Sequence, residues 1–386
     1  MRYMCYFAVL LLLVLNCSSE TDVGNSKEIL DIEFTLELAF GADDSLGDFL
    51  LARPRGFVVT NNGDIIVSDE NRLKVFDSNG KPKRIIGRPG PGPGEFGRIT
   101  LLTLSETGYI AAIQPMNNPF YNLFDSEYSF IERKNLRNSE LRKKLLKMHN
   151  DWYNPYFNML YFYSPEEIVI YTQVDGMRKG DLRNSYFALI HQKGEELTTI
   201  ANCKSEDFSE ASSIANGSLV FTLLPGRKVA YMHSGEDRFI ENGLYYYSIS
   251  FYDLKTHEQT KIIKDYIPVA IPDSVIFPKK NPFEGLENAE KLYKERSKKL
   301  KKAKVYPPIQ GIHSDVNYLF VFTFEYLDDK GYVVDVFDGI SKQYLSKVCF
   351  PISAMIKNGY AYRSTKNEDG FYIIEKYKID PAVYGK

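Results

Sequence analysis

The sequence has little of several features that would narrow its function. Among its 386 residues are one tryptophan, five histidines and four cysteines, and the formal net charge is only −2. A nucleic-acid-binding domain carries a clear basic excess, so this balance argues against nucleic acid as a partner. The apolar run at residues 7–15 is too short to span a bilayer as a helix.

Recognisable catalytic and metal-binding motifs are also missing. We find no nucleophile elbow, phosphate-binding loop or EF-hand, and no histidine has the spacing of a zinc ligand. His313, Ser314 and Asp315 form a weak cluster at a strand–turn junction, where a turn-capping aspartate is the favoured interpretation. The sequence therefore predicts no catalytic residue, no metal and no cofactor.

The N-terminal segment, residues 1–17, has the pattern of an export signal. Arg2 supplies the positive start, residues 7–15 are apolar, and Cys17 follows. The segment resembles a bacterial lipoprotein signal, which implies acylation of Cys17, a membrane anchor in the cell envelope (periplasm-facing or surface-exposed) and a flexible tether over residues 18–30. Because Asn16 stands where a small residue is usual, an ordinary secretory signal cut nearby is the alternative.

Residues 54–96 contain the clearest structural pattern. Four short apolar runs are separated by turn chemistry, with Asn62-Gly63 in the first turn and Asn79-Gly80 in the second. Asn and Gly tolerate positive φ, so each pair predicts a tight turn between antiparallel strands. A four-stranded sheet of this size cannot bury both faces alone, and the pattern therefore predicts further copies stacked beside it.

This unit resembles an NHL repeat, a family of propeller blades. The features that match are Pro54 and Gly56 at the start, Asp69 before the third strand, Phe76-Asp77 at its end, and the closing 92–96 segment, Gly-Pro-Gly-Glu-Phe. The resemblance implies a β-propeller. It also implies a possible activity, since some proteins resembling NHL propellers are lyases or hydrolases with metal and His, Arg or Tyr groups at the channel mouth.

Similar units follow along the chain, and their number predicts six blades. The last unit is one strand short, whereas residues 34–40 alternate apolar and polar residues without a hairpin partner. If this spare strand joins the last sheet, the ring closes and no blade keeps an open edge. We predict an all-β, six-bladed propeller over residues 31–386, with later units at 99–133, 155–201, 213–264, 308–350 and 351–377.

Two charged segments interrupt the strand pattern and predict helical insertions at about residues 136–150 and 284–304. The favoured interpretations are a connector packed on the rim for the first and a solvated helix for the second, with a lid or docking element as the alternative for the second. Cys203 and Cys349 fall in outer strands of non-adjacent blades, which favours free thiols over a disulfide.

Propellers usually bind ligands at the mouth of the central channel. Arg53, Arg55, Arg98 and His313 are the residues we expect there. Phe120, Tyr121, Trp152 and Tyr153 could instead line a binding surface, although core packing is commoner for such aromatics.

The function expected from these features is that of an envelope-anchored lipoprotein scaffold whose propeller binds a protein, peptide or glycan. The alternative is a lyase or hydrolase with its active site at the channel mouth. Convergence of two or more of His313, His233, Arg55 and Asp69 on one point would favour the enzyme.

Overall fold

A computed structural model describes residues 21–22, 28–99, 101–114, 119–176, 184–205, 209–328, 330–350 and 354–386. The predicted signal segment 1–17, with Cys17, lies outside them. The described chain forms six sheets, each containing a blade of four antiparallel strands, and two of the sheets have additional strands. This confirms the predicted six-bladed propeller. Three strands precede the first complete blade: β1 (Thr21–Asp22), β2 (Ile29–Leu30) and β3 (Phe34–Phe40).

The blades follow one another in chain order. Blade 1 contains β4 (Gly56–Val59), β5 (Ile65–Asp69), β6 (Arg72–Phe76) and β7 (Pro82–Ile86). Blade 2 contains β8 (Leu101–Leu104), β9 (Ile110–Gln114), β10 (Phe120–Phe124) and β11 (Phe130–Asn135). Blade 3 contains β12 (Trp152–Ser164), β13 (Glu167–Gly176), β14 (Asn184–Lys193) and β15 (Glu196–Ser205).

The second half of the ring repeats this order with one addition. Blade 4 contains β16 (Leu219–Leu224), β17 (Lys228–His233), β19 (Leu244–Asp253) and β20 (Gln259–Tyr266), and β18 (Arg238–Glu241) pairs with the start of β19. Blade 5 contains β21 (Ile309–Asp315), β22 (Tyr318–Leu327), β23 (Gly331–Asp338) and β24 (Tyr344–Phe350). Blade 6 contains β25 (Met355–Lys357), β26 (Tyr360–Lys366), β27 (Tyr372–Ile379) and the N-terminal β3.

The strand β3 closes the ring as the sequence predicts. It runs antiparallel to β27, with Phe40 opposite Ile374 and Phe34 opposite Ile379. Its aromatic side chains reach both neighbouring blades, because Phe34 contacts Phe350 of blade 5 and Phe40 contacts Phe76 of blade 1. Phe40 also covers Gly80, where an added Cβ would lie 2.7 Å from the phenyl ring. The Asn-Gly turn of blade 1 thus serves ring closure as well as chain reversal.

The hydrophobic core lies between blades. Each pair of neighbouring blades encloses one cluster of buried apolar side chains, and a seventh cluster lies among the helices, within the described part of the chain. Aromatic side chains fill much of this space, for example Phe124 between blades 1 and 2 and Phe350 between blades 5 and 6. Burial of the sheet faces between neighbours is what a single small blade cannot achieve alone.

Four α-helices occur in the described residues: α1 (Glu140–Met148), α2 (Glu210–Asn216), α3 (Asp273–Ile276) and α4 (Ala289–Ala303). Both predicted insertions are therefore helical, although the second becomes helical only at Ala289. The expected start of the fourth unit at Ser213 is wrong, since Ser213 lies in α2 and the blade begins at Leu219. The extra strand β18 was not predicted, and 3-10 turns occupy Asp44–Phe49 and Pro381–Tyr384.

The flexible tether predicted for residues 18–30 needs correction where the structure describes it. β1 pairs in parallel with β20 of blade 4, and β2 pairs in parallel with β24 of blade 5. Both outer strands have a free edge, and the N-terminal chain covers part of each one. Cys203 and Cys349 are free thiols, as predicted.

Candidate ligand-binding face

The two faces of the propeller differ in their loops. We call turn face the side with the hairpins between the first and second strands of each blade and between the third and fourth strands of blades 1 to 5. These hairpins have two to five residues. We call connection face the opposite side, where each outer strand leads to the inner strand of the next blade. These connections have 4 to 42 residues and contain α1, α2, α3 and α4. Binding residues concentrate on loops held by a rigid scaffold, which favours the connection face.

Hydrogen bonds join the hairpins of the turn face from blade to blade. Asp315 of blade 5 accepts the backbone N–H groups of Asn358 and Gly359 in blade 6, at 2.5 and 2.8 Å. The Asn358 side chain donates to the backbone of Asn61 in blade 1 at 3.3 Å. Asn61 in turn donates to the carbonyl oxygen of Glu106 in blade 2 at 3.0 Å. Asp315 therefore caps a turn, as expected, but that turn belongs to the neighbouring blade.

The remaining contacts complete this turn ring. The Glu106 carboxylate accepts the backbone N–H groups of Gly226 and Arg227 in blade 4, at 2.9 and 3.2 Å. Because blade 3 separates blades 2 and 4, this contact crosses the end of the channel. Thr107 links blade 2 to blade 3, and Ser314 links blade 5 to blade 4. The turn ring therefore ties all six blades together.

On the connection face, a buried ion pair positions two of the predicted site residues. Lys74 and Asp69 are fully buried in blade 1, with 2.7 Å between Nζ and Oδ2. The Asp69 carboxylate also accepts the backbone N–H groups of Ala52 and Arg53, at 2.9 and 2.6 Å. Arg53 and Arg55 are thereby held just before β4 with exposed side chains. Asp69 therefore has a structural role in blade 1.

The other two predicted residues occupy different places. Arg98 precedes β8 on the connection face, where its backbone N–H donates to Gln114 at 3.0 Å and its side chain is exposed. Within the described residues, the guanidinium groups of Arg53, Arg55 and Arg98 form no ion pair. His313 lies further along inner strand β21, 5.1 Å from the Phe322 ring. Solvent reaches its imidazole, yet the surrounding protein desolvates it and lowers its pKa.

The four residues chosen to recognise an enzyme belong to blades 1, 4 and 5. Asp69 is bound to Lys74 inside blade 1. His233 is buried in blade 4, where its Nδ1 accepts the backbone N–H of Glu236 at 3.1 Å. Only Arg55 and His313 of the four keep exposed side chains, and they belong to blades 1 and 5. No group of three or more metal-ligating side chains occurs among the residues that the structure describes.

A groove of about 1030 Å³ lies between blades 2 and 3 on the connection face. One wall is the segment after β11 with helix α1, and the other is the first half of β12. This half projects because β12 has 13 residues whereas inner strand β8 of blade 2 has four. The lining residues are Pro119, Leu136, Arg137, Asn138, Arg142, Leu146, Trp152, Tyr153, Asn154, Pro155, Tyr156 and Phe157.

Local sequence fixes the helix wall of this groove. Ser139 caps α1 by accepting the backbone N–H of Arg142 at 3.1 Å, as expected for a serine at a helix start. Leu145 is fully buried in the cluster between blades 2 and 3. The following His149 stacks on Trp152 with ring centroids 4.0 Å apart, and burial lowers its pKa. The helix is thus packed on the blades, as predicted, and also lines the groove.

The strand wall presents aromatic and amide groups. Tyr153 is 56% exposed and Tyr156 is 45% exposed. The Arg142 guanidinium lies 3.3 Å from the Asn154 side-chain oxygen, and the Tyr156 hydroxyl donates to Asp175 at 3.2 Å. Large concave sites lined by aromatic groups and a few polar ones are typical of ligand-binding sites.

Sequence reasoning found this groove only in part. Of the four aromatic residues named as possible binding residues, Trp152 and Tyr153 line the groove, although Trp152 is largely buried. Phe120 is buried as well, and Tyr121 lies with Trp152 in the cluster between blades 2 and 3. Tyr156 and Arg142 were missed because their juxtaposition depends on contacts between a connector and a strand. The dense aromatic start of β12 was the available signal.

A second, much smaller cavity of about 40 Å³ lies between blades 4 and 5. Buried Asp335 accepts hydrogen bonds there from the hydroxyls of Tyr344 and Tyr247, at 2.9 and 3.1 Å. Burial raises the pKa of Asp335, against the lowering effect of buried Lys264. A cavity of this size has room for little more than water, so we regard this cluster as part of the packing between blades.

Comparisons with known proteins agree with the fold. Residues 14–205 match a family model described as a 6-bladed beta-propeller. No curated protein gives a match. Among the described residues, no helix is long and apolar enough to cross a membrane.

Several solved structures are similar to this chain at low identity. One is a Bacteroides fragilis protein assigned as exported, with 15% identity, a TM-score of 0.43, and coverage of 94% of this chain and 98% of that chain. Another is a Xanthomonas campestris gluconolactonase, with 9% identity, a TM-score of 0.38, and coverage of 86% and 87%. A Bacteroides caccae protein of unknown function has 8% identity, a TM-score of 0.34, and coverage of 79% and 85%.

Proposed function

We propose that this chain is an exported, lipid-anchored binding protein of the bacterial cell envelope, and that its ligand occupies the groove between blades 2 and 3. The observation that carries the proposal is the groove itself: about 1030 Å³ on the face with every long connection. The opposite face is tied by the turn ring, whose contacts use the polar groups of its hairpins.

The groove has the composition of a recognition surface. Tyr, Trp and Arg are the residue types that contribute most to binding energy at interfaces, and Trp152, Tyr153, Tyr156, Arg137 and Arg142 line this groove together. Tyrosine offers a large flat contact area and a hydroxyl with little loss of side-chain entropy.

The N-terminal chain supports an orientation for the anchored protein. β1 runs parallel to β20, which leads toward the connection face, so the chain reaches blade 4 from the side of the turn face. An acylated Cys17 would precede Thr21 by four residues, a reach of at most about 14 Å. In the proposed orientation the turn face is near the membrane and the groove points away from it.

Trp152 provides a direct test of ligand binding because it is the only tryptophan in the chain and lines the groove. The purified full-length chain in detergent is titrated with pooled peptides and pooled glycans while tryptophan emission is recorded. We expect at least one pool to change the emission saturably. Failure of both pools would contradict the proposed function.

Two tyrosine variants test whether the change of tryptophan emission arises from binding in the groove. Tyr156→Ala removes an exposed ring from the groove, whereas Tyr326→Ala removes a similarly exposed ring (52%) from blade 5, outside it. We expect the emission change to be lost in the first variant and retained in the second. A ligand response that survives Tyr156→Ala would place binding elsewhere.

The anchor is tested separately by metabolic labelling with a clickable fatty acid. The wild-type chain should incorporate the label and partition with membranes, and Cys17→Ser should do neither. Unlabelled wild-type protein released from the cell would support the ordinary secretory signal instead.

A further inference from the structure

We infer that the ligand of this groove is an acidic glycan, a chain of sugars bearing carboxylate groups. The inference rests on the proposed function and specifies its ligand class. It is drawn from the charge, the aromatic faces and the strand edge of the groove.

The charge of the groove is positive. Among the described residues, its lining contains Arg137 and Arg142 and no aspartate or glutamate. Asp175 reaches the lining through its hydrogen bond with the Tyr156 hydroxyl. Arg137 is exposed, and its guanidinium forms no ion pair within the described residues. A guanidinium binds a carboxylate through two parallel hydrogen bonds, which makes arginine suited to an acidic ligand.

The charge continues beyond the groove toward the channel. Arg98, Arg53 and Arg55 precede the inner strands of blades 2 and 1 on the same connection face, with exposed side chains. A long ligand leaving the groove toward the channel mouth would meet further positive charge. Such an arrangement favours a polymer with repeated negative groups over a single small anion.

The other lining groups suit sugar rings. Tyr153 and Tyr156 expose aromatic rings, which provide apolar surface for the C–H faces of a sugar. Asn138 and Asn154 supply amide groups that both donate and accept hydrogen bonds, as vicinal hydroxyls require. The groove volume of about 1030 Å³ is at the upper end of the roughly 300–1,000 Å³ of small-molecule sites, which leaves room for more than one ring.

The strand wall disfavours an extended peptide. A peptide commonly binds a free sheet edge by adding a strand to it. β12 is an inner strand, but its first half contains Pro155, which has no N–H to donate, and an irregular register at Tyr153. Proline and bulges at an edge hinder strand addition. Recognition in this groove therefore depends on side chains rather than on backbone pairing.

The test compares acidic glycans with an uncharged ester of one of them and with an acidic polypeptide. Full-length chain in detergent is titrated with oligogalacturonate, with its methyl ester, with alginate and hyaluronan oligosaccharides, and with poly-glutamate, and Trp152 emission is recorded. We expect at least one uronate oligosaccharide to bind. For oligogalacturonate, esterification should weaken binding at least tenfold, and so should 0.5 M salt, since screening weakens exposed charge pairs. Poly-glutamate should not bind comparably.

Two matched arginine variants test whether the positive charge of the groove binds the uronate. Arg137→Gln removes the exposed guanidinium from the groove, and Arg84→Gln removes an exposed arginine from outer strand β7 of blade 1. We expect Arg137→Gln to lower the affinity for the uronate about tenfold without changing the melting temperature, and Arg84→Gln to leave both unchanged.

The failures of the two proposals are distinguishable. Binding of neutral glycans or poly-glutamate in preference to all uronates overturns the acidic-glycan inference and leaves the groove as a binding site. A peptide pool that changes Trp152 emission when no uronate does also overturns the acidic-glycan inference and leaves the groove as a binding site. If no glycan and no peptide changes the emission, both proposals fall.

Discussion

The two faces of this propeller share one scaffold and differ in how they use polar groups. On the turn face, the carboxylates of Asp315 and Glu106 accept hydrogen bonds from backbone N–H groups of other blades. On the connection face, Arg53, Arg55, Arg98 and Arg137 expose guanidinium groups that pair with no acid among the described residues. The difference indicates that the carboxylates of the turn ring stabilise the fold, whereas these four guanidinium groups contribute no ion pair to it within the described residues.

Short hairpins make the turn ring possible. Two-residue turns such as those at Val316 and Asn358 bring successive blades close enough for direct hydrogen bonds. Long connections on the other face separate the blades and leave space for the groove. Loop length therefore divides the molecule into a closed face and an open one.

The largest loss of stability is expected from removing β3, the strand that closes the ring. A chain beginning at Asp44 lacks β3, so β27 loses its partner and Phe40 no longer covers blade 1. We expect cooperative loss of structure over the whole domain, by several of the roughly 5–15 kcal/mol that stabilise a typical domain. Circular dichroism melting measures this. An unchanged melting temperature would mean that ring closure by β3 does not stabilise the propeller.

A smaller but clear loss of stability is expected when a carboxylate of the turn ring is removed. Asp315→Ala leaves the N–H groups of Asn358 and Gly359 and the Tyr384 hydroxyl without their acceptor. Unsatisfied buried groups cost about 1–3 kcal/mol each when water cannot reach them, so we expect about 2–3 kcal/mol by urea unfolding. Asp369→Ala, in an exposed turn of blade 6, is the control and should stay within about 0.5 kcal/mol. Equal effects would show that the ring adds nothing to stability.

Acid should weaken the domain through its histidines. Desolvation lowers the pKa of His191, and of His149, His233 and His313, below the 6.5 of a free imidazole. The unfolded chain then binds more protons than the folded chain below pH 6.5, so stability falls as the pH drops from 6.5 toward the lowered values. Each pKa unit contributes about 1.4 kcal/mol.

Urea unfolding at pH 7.5, 6.5 and 5.5 measures this dependence. His191 lies close to the turn face, where its Nε2 is 3.1 Å from Glu167, and His191→Gln should reduce the slope between pH 6.5 and 5.5. A slope that stays the same in this variant would show that His191 does not contribute to the acid sensitivity.

The smallest effect on stability is expected in the groove. Tyr153→Ala, Tyr156→Ala and Arg137→Gln change exposed side chains, and surface substitutions usually alter stability by less than about 0.5 kcal/mol. We expect these variants to have the melting temperature of the wild type and to lose ligand binding. A large loss of stability in any of them would mean that the connection face also supports the fold, and the contrast between faces would disappear.

The sequence allowed prediction of features that repeat locally. The Asn-Gly turns and alternating residues of blade 1 predict its four strands, and the unpaired alternation at Phe34–Phe40 predicts ring closure. Contacts between distant segments could not be predicted. Glu106 reaches Gly226 across 120 residues, and Arg142 meets Asn154 because α1 folds back on β12. β18 was missed because its residues continue the strand pattern of β19 and give no separate signal.

The contrast between the faces is tested most directly by hydrogen exchange, measured by mass spectrometry on the full-length chain with and without a saturating uronate oligosaccharide. Our account predicts new protection over residues 136–157, around the groove, and no change in the hairpins at 60–64, 105–109 and 358–359 of the turn face. Protection of those hairpins without protection of residues 136–157 would contradict it.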